Sequence, residues 1–129
     1  MKEVTVTAKN KVGTLDAVAH ALGDLGINID TISAYESAGK AVFRIITNDS
    51  ATAVKALSKV PESEIKEAEA LIYKMSNRPG ELGKLTRRLS EKGINLESLY
   101  ILSRYPDYTE VVVRPSASDF SRTKDLLKI

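Results

Sequence analysis

The sequence predicts an α+β fold built twice, as two tandem βαββαβ units over 1–69 and 70–129 whose antiparallel sheets carry their helices on one face. Two repeated blocks carry this prediction. Asn10-Lys11-Val12-Gly13-Thr14-Leu15 aligns with Asn77-Arg78-Pro79-Gly80-Glu81-Leu82 at an offset of 67. The same offset brings Gly26-Ile27-Asn28-Ile29-Asp30 onto Gly93-Ile94-Asn95-Leu96-Glu97, and Leu22 onto Leu89. Two blocks held at one spacing mark a duplication, and periodic repeats of this kind dictate architecture.

Each copy opens on a strand. Val4-Thr5-Val6-Thr7-Ala8 alternates, and Leu71-Ile72-Tyr73-Lys74-Met75 is rich in apolar and aromatic residues. A glycine turn follows, and then Leu15, Val18, Ala19, Leu22 and Leu25 draw the apolar stripe of an amphipathic helix, with Gly26 as its stop. Leu82, Leu85 and Leu89 repeat a thinner stripe that Gly93 ends. The second strand changes phase: Ile27 and Ile29 alternate on one register, Ile32 and Ala34 on the other, and Ile94, Leu96, Leu99 and Ile101 repeat the slip. Such a slip implies a β-bulge or burial on both faces.

A hairpin turn at Ser37-Ala38-Gly39-Lys40 leads into the strand of Ala41, Phe43 and Ile45. Its counterpart turns through Tyr105-Pro106-Asp107 into 108–113 with one or two residues inserted. Ser50 is the expected cap of a helix that buries Val54 and Leu57; Ser116 or Ser118 is expected to cap one that buries Phe120 and Leu127. Ile65-Lys66-Glu67-Ala68 reads as the fourth strand of the first copy and runs without a Gly or Pro break into the second. The second copy lacks a fourth strand, which leaves its sheet an edge to be covered.

Composition narrows the function. A hydrophobic share of 43% and a charged share of 28% are those of a globular protein, and no apolar run reaches the length of a membrane span. Met1-Lys2-Glu3-Val4-Thr5-Val6 alternates at once and has no apolar leader region, so a cytoplasmic location is expected. The absence of cysteine removes disulfides and thiolate chemistry, and a lone histidine, His20, assembles no zinc site, so neither metal nor cofactor is expected. A net charge of +2 is too weak for a nucleic-acid footprint. Arg78, Lys84, Arg87, Arg88 and Lys92 crowd one helix, which reads as a solvated face balanced by Glu62, Glu64, Glu67 and Glu69. No nucleophile, base and orienting group form a triad, and no phosphate-binding glycine loop is present, so the chain is not expected to be an enzyme.

A βαββαβ unit with Asn-x-Pro-Gly-x-Leu before its first helix and Gly-hydrophobic-Asn-hydrophobic after it resembles the ACT family, whose units are ferredoxin-like. Asn77-Arg78-Pro79-Gly80-Glu81-Leu82 with Gly93-Ile94-Asn95-Leu96 carries the resemblance most closely, and Lys11-Val12 departs from it in the first copy. The second copy is also similar to the ACT segment of acetolactate synthase regulatory subunits. The resemblance implies a non-catalytic regulator that binds a small molecule, an amino acid, at interfaces between paired domains and modulates a biosynthetic enzyme or regulator; the open sheet edge of the second copy leads to the expectation of a homodimer. A pure interaction module without ligand is the rival reading. In serine-binding relatives an Asn before the helix and an Asn eighteen positions later hold the ligand, and both copies keep that pair as Asn10 with Asn28 and Asn77 with Asn95.

Backbone N–H groups at a helix start, approached closely over Gly13 or Gly80, suit a carboxylate. Asn amides, with Asp30 or Glu97 nearby, suit an ammonium group. The expected ligand set is therefore Asn10, Val12, Gly13, Thr14, Asn28 and Asp30 in the first copy, and Asn77, Pro79, Gly80, Glu81, Asn95 and Glu97 in the second. Ala8 and Met75 stand where the serine pattern has histidine, which points away from serine and toward a more apolar ligand. Tyr35, Tyr100, Tyr105 and Tyr108 lie near the same strands, with packing as their first reading. His20 is expected at the rim of its helix.

Overall fold

A computed structural model describes all residues, 1–129. The chain divides into two compact units, one of Lys2–Glu69 and the other of Ala70–Ile129 together with Met1.

The first unit runs β1 (Lys2–Lys9), α1 (Thr14–Gly23), β2 (Ile29–Ser37), β3 (Lys40–Thr47), α2 (Ser50–Leu57) and β4 (Ser63–Glu69). Its strands form one antiparallel sheet in the order β2-β3-β1-β4. Alternation along β1 sends Val4, Val6 and Ala8 to the helix side, where Val4 faces Ile45 and Val6 faces Phe43. Val18 and Leu22 of α1 and Ala53, Ala56 and Leu57 of α2 close the core over these strands. Burial of such aliphatic groups is the main stabilising term, about 1.5–3 kcal/mol for each large side chain.

The second unit repeats strand, helix, strand, strand, helix: β5 (Leu71–Ser76), α3 (Glu81–Glu91), β6 (Leu96–Arg104), β7 (Tyr108–Pro115), and α4 (Phe120–Leu127) after a 3₁₀ turn at Ala117–Asp119. Its antiparallel sheet has three strands in the order β5-β7-β6, so the edge of β5 that a fourth strand takes in the first unit is unfilled within this sheet. Leu85, Leu89 and Leu127 pack over Leu71, Val111 and Val113.

Both phase slips are β-bulges at equivalent places. Asp30 is the extra residue between the Ile29–Thr47 and Thr31–Ile46 pairs, and Glu97 the one between Leu96–Pro115 and Ser98–Arg114. The bulge corrects the two-faced reading of β2. Ile32 pairs with Ile45 and Ala34 with Phe43, both core residues, so Ile29, Ile32 and Ala34 all lie on the helix side. The insertion in the second copy is one turn residue: β3 follows β2 after two residues, whereas β7 follows β6 after three. A further bulge at Leu102 shifts the register of β6 on β7 by one more residue.

Other expectations change at element ends. Leu25 lies beyond the end of α1 and is 54% exposed, and Leu15 is 48% exposed, so the core stripe of α1 narrows to Val18 and Leu22. Ser50 is the first residue of α2, and its cap is Asp49, whose carboxylate accepts the Thr52 N–H at 3.1 Å. Ser116 caps the 3₁₀ turn, while Asp119 is the residue before α4, so neither Ser116 nor Ser118 caps that helix. At the first site Asp49 takes the backbone donor that Ser50 was expected to take; at the second neither Ser116 nor Asp119 makes a side-chain cap, and the Ser116 hydroxyl instead lies 3.2 Å from the Asp119 carboxylate.

The hydrogen bonds from Thr52, side chain first and backbone second, hold the Asp49 carboxyl below its ordinary value of 3.8. A depressed carboxyl stabilises the fold above the unfolded value, and that stabilisation is lost as pH falls through the folded one. Asp49→Ala is therefore expected to lower the melting temperature at pH 7 and to do so much less at pH 3. Parallel melts at the two pH values check this; an equal loss at both would show that the ionised cap contributes nothing.

Candidate ligand-binding site

The sequence Asn10-Lys11-Val12-Gly13 leaves β1 and starts α1 with a left-handed residue, Gly13 at φ 91°, and its copy Gly80 does the same at φ 85°. A Cβ at either position meets no atom, so the glycine is required by the backbone and not by space. Because Gly13 has no side chain to cap the helix, the N–H groups of Leu15 and Asp16 find no acceptor in the protein.

Beside this helix start lies a cavity of about 580 Å³, within the usual range for small-molecule sites. Asn10, Lys11, Gly13 and Thr14 form its loop end, Leu15, Asp16 and Ala19 its α1 wall, and Ala34, Tyr35, Ala41 and Phe43 the strand side. It exists because α1 packs its Val18–Leu22 face on β1 and β3 and leaves the edge strand β2 partly bare: Ile32 is 37% exposed on the same side. Asn10 makes no hydrogen bond, and Lys11 joins no ion pair. Thr14 is buried, and its hydroxyl lies 3.0 Å from the carbonyl oxygens of Lys9 and Lys11, which fixes the loop. Asp16 is 3.2 Å from His20, and the His20 ring also meets the Asp16 carbonyl at 2.9 Å. That hydrogen bond, followed by the carboxylate charge, raises the His20 pKa above 6.5.

Of the residues expected from the sequence, Asn10, Gly13 and Thr14 line this cavity. Val12 is fully exposed and lines a smaller hollow of about 190 Å³ on the other side of the loop, with Pro61. Asn28 and Asp30 lie outside the lining; the Asn28 amide donates to the Asp30 carboxylate at 3.4 Å, and Asp30 is the bulge residue of β2. In the second unit the Asn77 amide donates to the Tyr105 carbonyl at 2.9 Å across the β6–β7 turn, where Tyr105 and Tyr108 stack at 4.7 Å. Glu81 pairs with Arg78 at 3.2 Å and with Lys84 at 3.4 Å. Pro79 is exposed, and Gly80 supplies the turn. The Asn95 carbonyl accepts from the Ser116 N–H at 3.4 Å, and Glu97 pairs with Arg114 at 3.0 Å.

The sequence reading missed Lys11, Leu15, Asp16, Ala19, Ala34, Ala41 and Phe43 as lining residues. Their signal was present in part, since two alanines in apolar strands open space beside a helix. Tyr35 lines the cavity, and its hydroxyl accepts from Arg44 Nε at 2.8 Å. Arg44 in turn meets the fully buried Glu3 at 3.1 Å. Burial by itself would lower the Arg44 pKa, but the Tyr35 hydrogen bond and the Glu3 charge outweigh it and raise the pKa above the ordinary value.

A four-stranded antiparallel sheet under two helices, with a polar helix start opening onto an apolar cleft, is the βαββαβ arrangement expected from the sequence. The ACT domain family model matches residues 2–61, nearly the whole of the first unit. Among solved structures, a protein from Bacteroides thetaiotaomicron is similar at 28% identity and a TM-score of 0.84, over 98% of this chain and 85% of that one. The ligand-free regulatory subunit of aspartate kinase from Thermus thermophilus shares the fold at 14% identity and a TM-score of 0.69, over 98% and 90%. Aspartokinase alpha and beta subunits share it at 18% and 0.67, over 97% and 89%. No curated protein matches the chain. No helix is long and apolar enough to cross a membrane.

Proposed function

We propose that this protein is a regulatory module that binds a free amino acid in the cleft of its first unit and transmits the bound state to a partner. One observation carries the reading: a cavity of about 580 Å³ has unpaired backbone donors and a free Asn amide at one end and carbon surface at the other. The N–H groups of Leu15 and Asp16, with the Lys11 ammonium at the rim, receive the ligand carboxylate. The Asn10 carbonyl oxygen accepts from its ammonium group. The ACT family match over 2–61 and the fold shared with aspartate kinase regulatory subunits support a regulatory role over a catalytic one. The second unit, with the same order of elements, is proposed as a second ACT unit, and the partner as an amino-acid biosynthetic enzyme of the cytoplasm engaged by a homodimer. An acetolactate synthase regulatory subunit is the nearest specific form of this reading.

A thermal-shift screen of the full chain against the twenty amino acids tests it. A ligand at 100 times its Kd adds about 2.7 kcal/mol of stability. Asn10→Ala removes a hydrogen bond to a charged group, so ligand affinity is expected to fall about tenfold or more. The unliganded melting temperature is expected to stay unchanged, because the Asn10 side chain bonds nothing in the protein. A variant that binds like the parent would remove Asn10 from the site, and no shift with any amino acid would sink the reading.

A further inference from the structure

We propose that the two units are unequal, that only the first takes a ligand, and that the ligand is an amino acid with an aliphatic side chain. The inference rests on the amino-acid reading above and sharpens it. On the helix side of the first sheet, Ala8 stands opposite Ala41 and Ala34 opposite Phe43. At the equivalent pairs of the second sheet, Met75 stands opposite Thr109 and Ile101 opposite Val111. Three methyl side chains of the first unit are thus replaced by a thioether, a hydroxyethyl and a sec-butyl group. Met75 packs against the second core, and Ala34 and Ala41, the counterparts of Ile101 and Thr109, line the cleft of the first unit.

The polar end differs in the same sense. Asn10 is free, whereas its counterpart Asn77 is held by the Tyr105 carbonyl. Lys11 is unpaired, whereas Arg78 is paired with Glu81. Amide and cation are free in the first unit and engaged by protein groups in the second, whose sheet also carries larger side chains at the positions of Ala8, Ala34 and Ala41.

The cleft also states its preference. Ala34, Ala41, Phe43, Leu15 and Ala19 present carbon. Asn10 and Lys11 meet the ligand's own ammonium and carboxylate, and the other polar side chains of the lining are engaged, Thr14 with the Lys9 and Lys11 carbonyls, Asp16 with His20 and Tyr35 with Arg44. A hydroxyl or charge on the ligand side chain would leave water without a new partner. Each added methylene that is buried instead tightens binding about fourfold.

Isothermal titration of the full chain with leucine, isoleucine and valine, against serine, aspartate and lysine, is expected to give one equivalent per chain and aliphatic affinities at least tenfold above the polar ones. Ala34→Ile copies the second unit's residue onto an exposed position and is expected to weaken leucine binding at least tenfold. Ala19→Leu, on the exposed wall of α1, is the second variant with the same expectation. Ile101→Ala is expected to leave binding within twofold. Melting curves of each variant separate a lost site from a lost fold. Two equivalents per chain, tighter binding of serine, aspartate or lysine, or leucine binding lost in Ile101→Ala and kept in Ala34→Ile and Ala19→Leu would overturn the inference while leaving amino-acid binding intact. No heat with any amino acid, with equilibrium dialysis also negative, overturns both.

Discussion

Arg44→Met is expected to destabilise the protein by about 3–5 kcal/mol, the range for stripping one partner from a buried ion pair. Glu3 is fully buried, and the Arg44 side chain that meets it at 3.1 Å is only 16% exposed. Arg44 also donates to the Tyr35 hydroxyl, while Thr5 Oγ1 lies 3.4 Å from the carboxylate. Methionine keeps the aliphatic stem of the side chain, so the loss reports the missing charge more than missing packing. Glu3→Gln with Arg44→Met removes both charges, and it is expected to be more stable than Arg44→Met alone. Urea denaturation of the parent, both single variants and the double completes the cycle. A single-variant loss under about 1 kcal/mol would place the pair among ordinary surface bridges.

Leu22→Ala is expected to lose about 2–5 kcal/mol, the usual range when a buried leucine leaves a cavity. Leu22 has no exposed surface and shares the first core with Val4, Val18, Ile45 and Leu57. Leu89, its counterpart in the second unit, is 2% exposed among Leu85, Val111 and Leu127, and the same range is expected for Leu89→Ala. Leu15 carries the same side chain on the same helix as Leu22 but is 48% exposed at the cleft wall. Leu15→Ala should therefore stay within about 1 kcal/mol, well under the loss for a core leucine. Equal losses at 15 and 22 would mean that α1 is packed differently from the arrangement described.

That contrast shows where the sequence was legible. The repeat fixed the element order of both units, because two blocks at one offset leave little freedom in alignment. The strand and helix periods then identified Val4, Val6, Val18, Leu22 and Leu57 as interior. Periodicity could not separate the core face of α1 from its cleft face, since Leu15 and Ala19 satisfy the same stripe as Val18 and Leu22. The choice between them depends on where β2 lies across the sheet, which is a long-range pairing. Asp49 and Ser50 are both good caps, and only the backbone path decides between them. The cleft was half legible: Asn10, Gly13 and Thr14 announce themselves as a turn before a helix. Ala34 and Ala41 carry no chemistry, and their meaning appears only when they are set against Ile101 and Thr109 in the other unit.

The extra residues Asp30 and Glu97 have a consequence for how these units tolerate changes in length. Each is surplus to its ladder, so a chain shortened by that one residue would still pair Ile29 with Thr47 and Thr31 with Ile46, and would keep Ile32 and Ala34 beneath the helices. Length can vary at the hairpin tip, where the two halves already differ by one residue. Loss of Ser33, which has its own partner in Arg44, would instead put Ala34 on the opposite face and take the cleft wall with it.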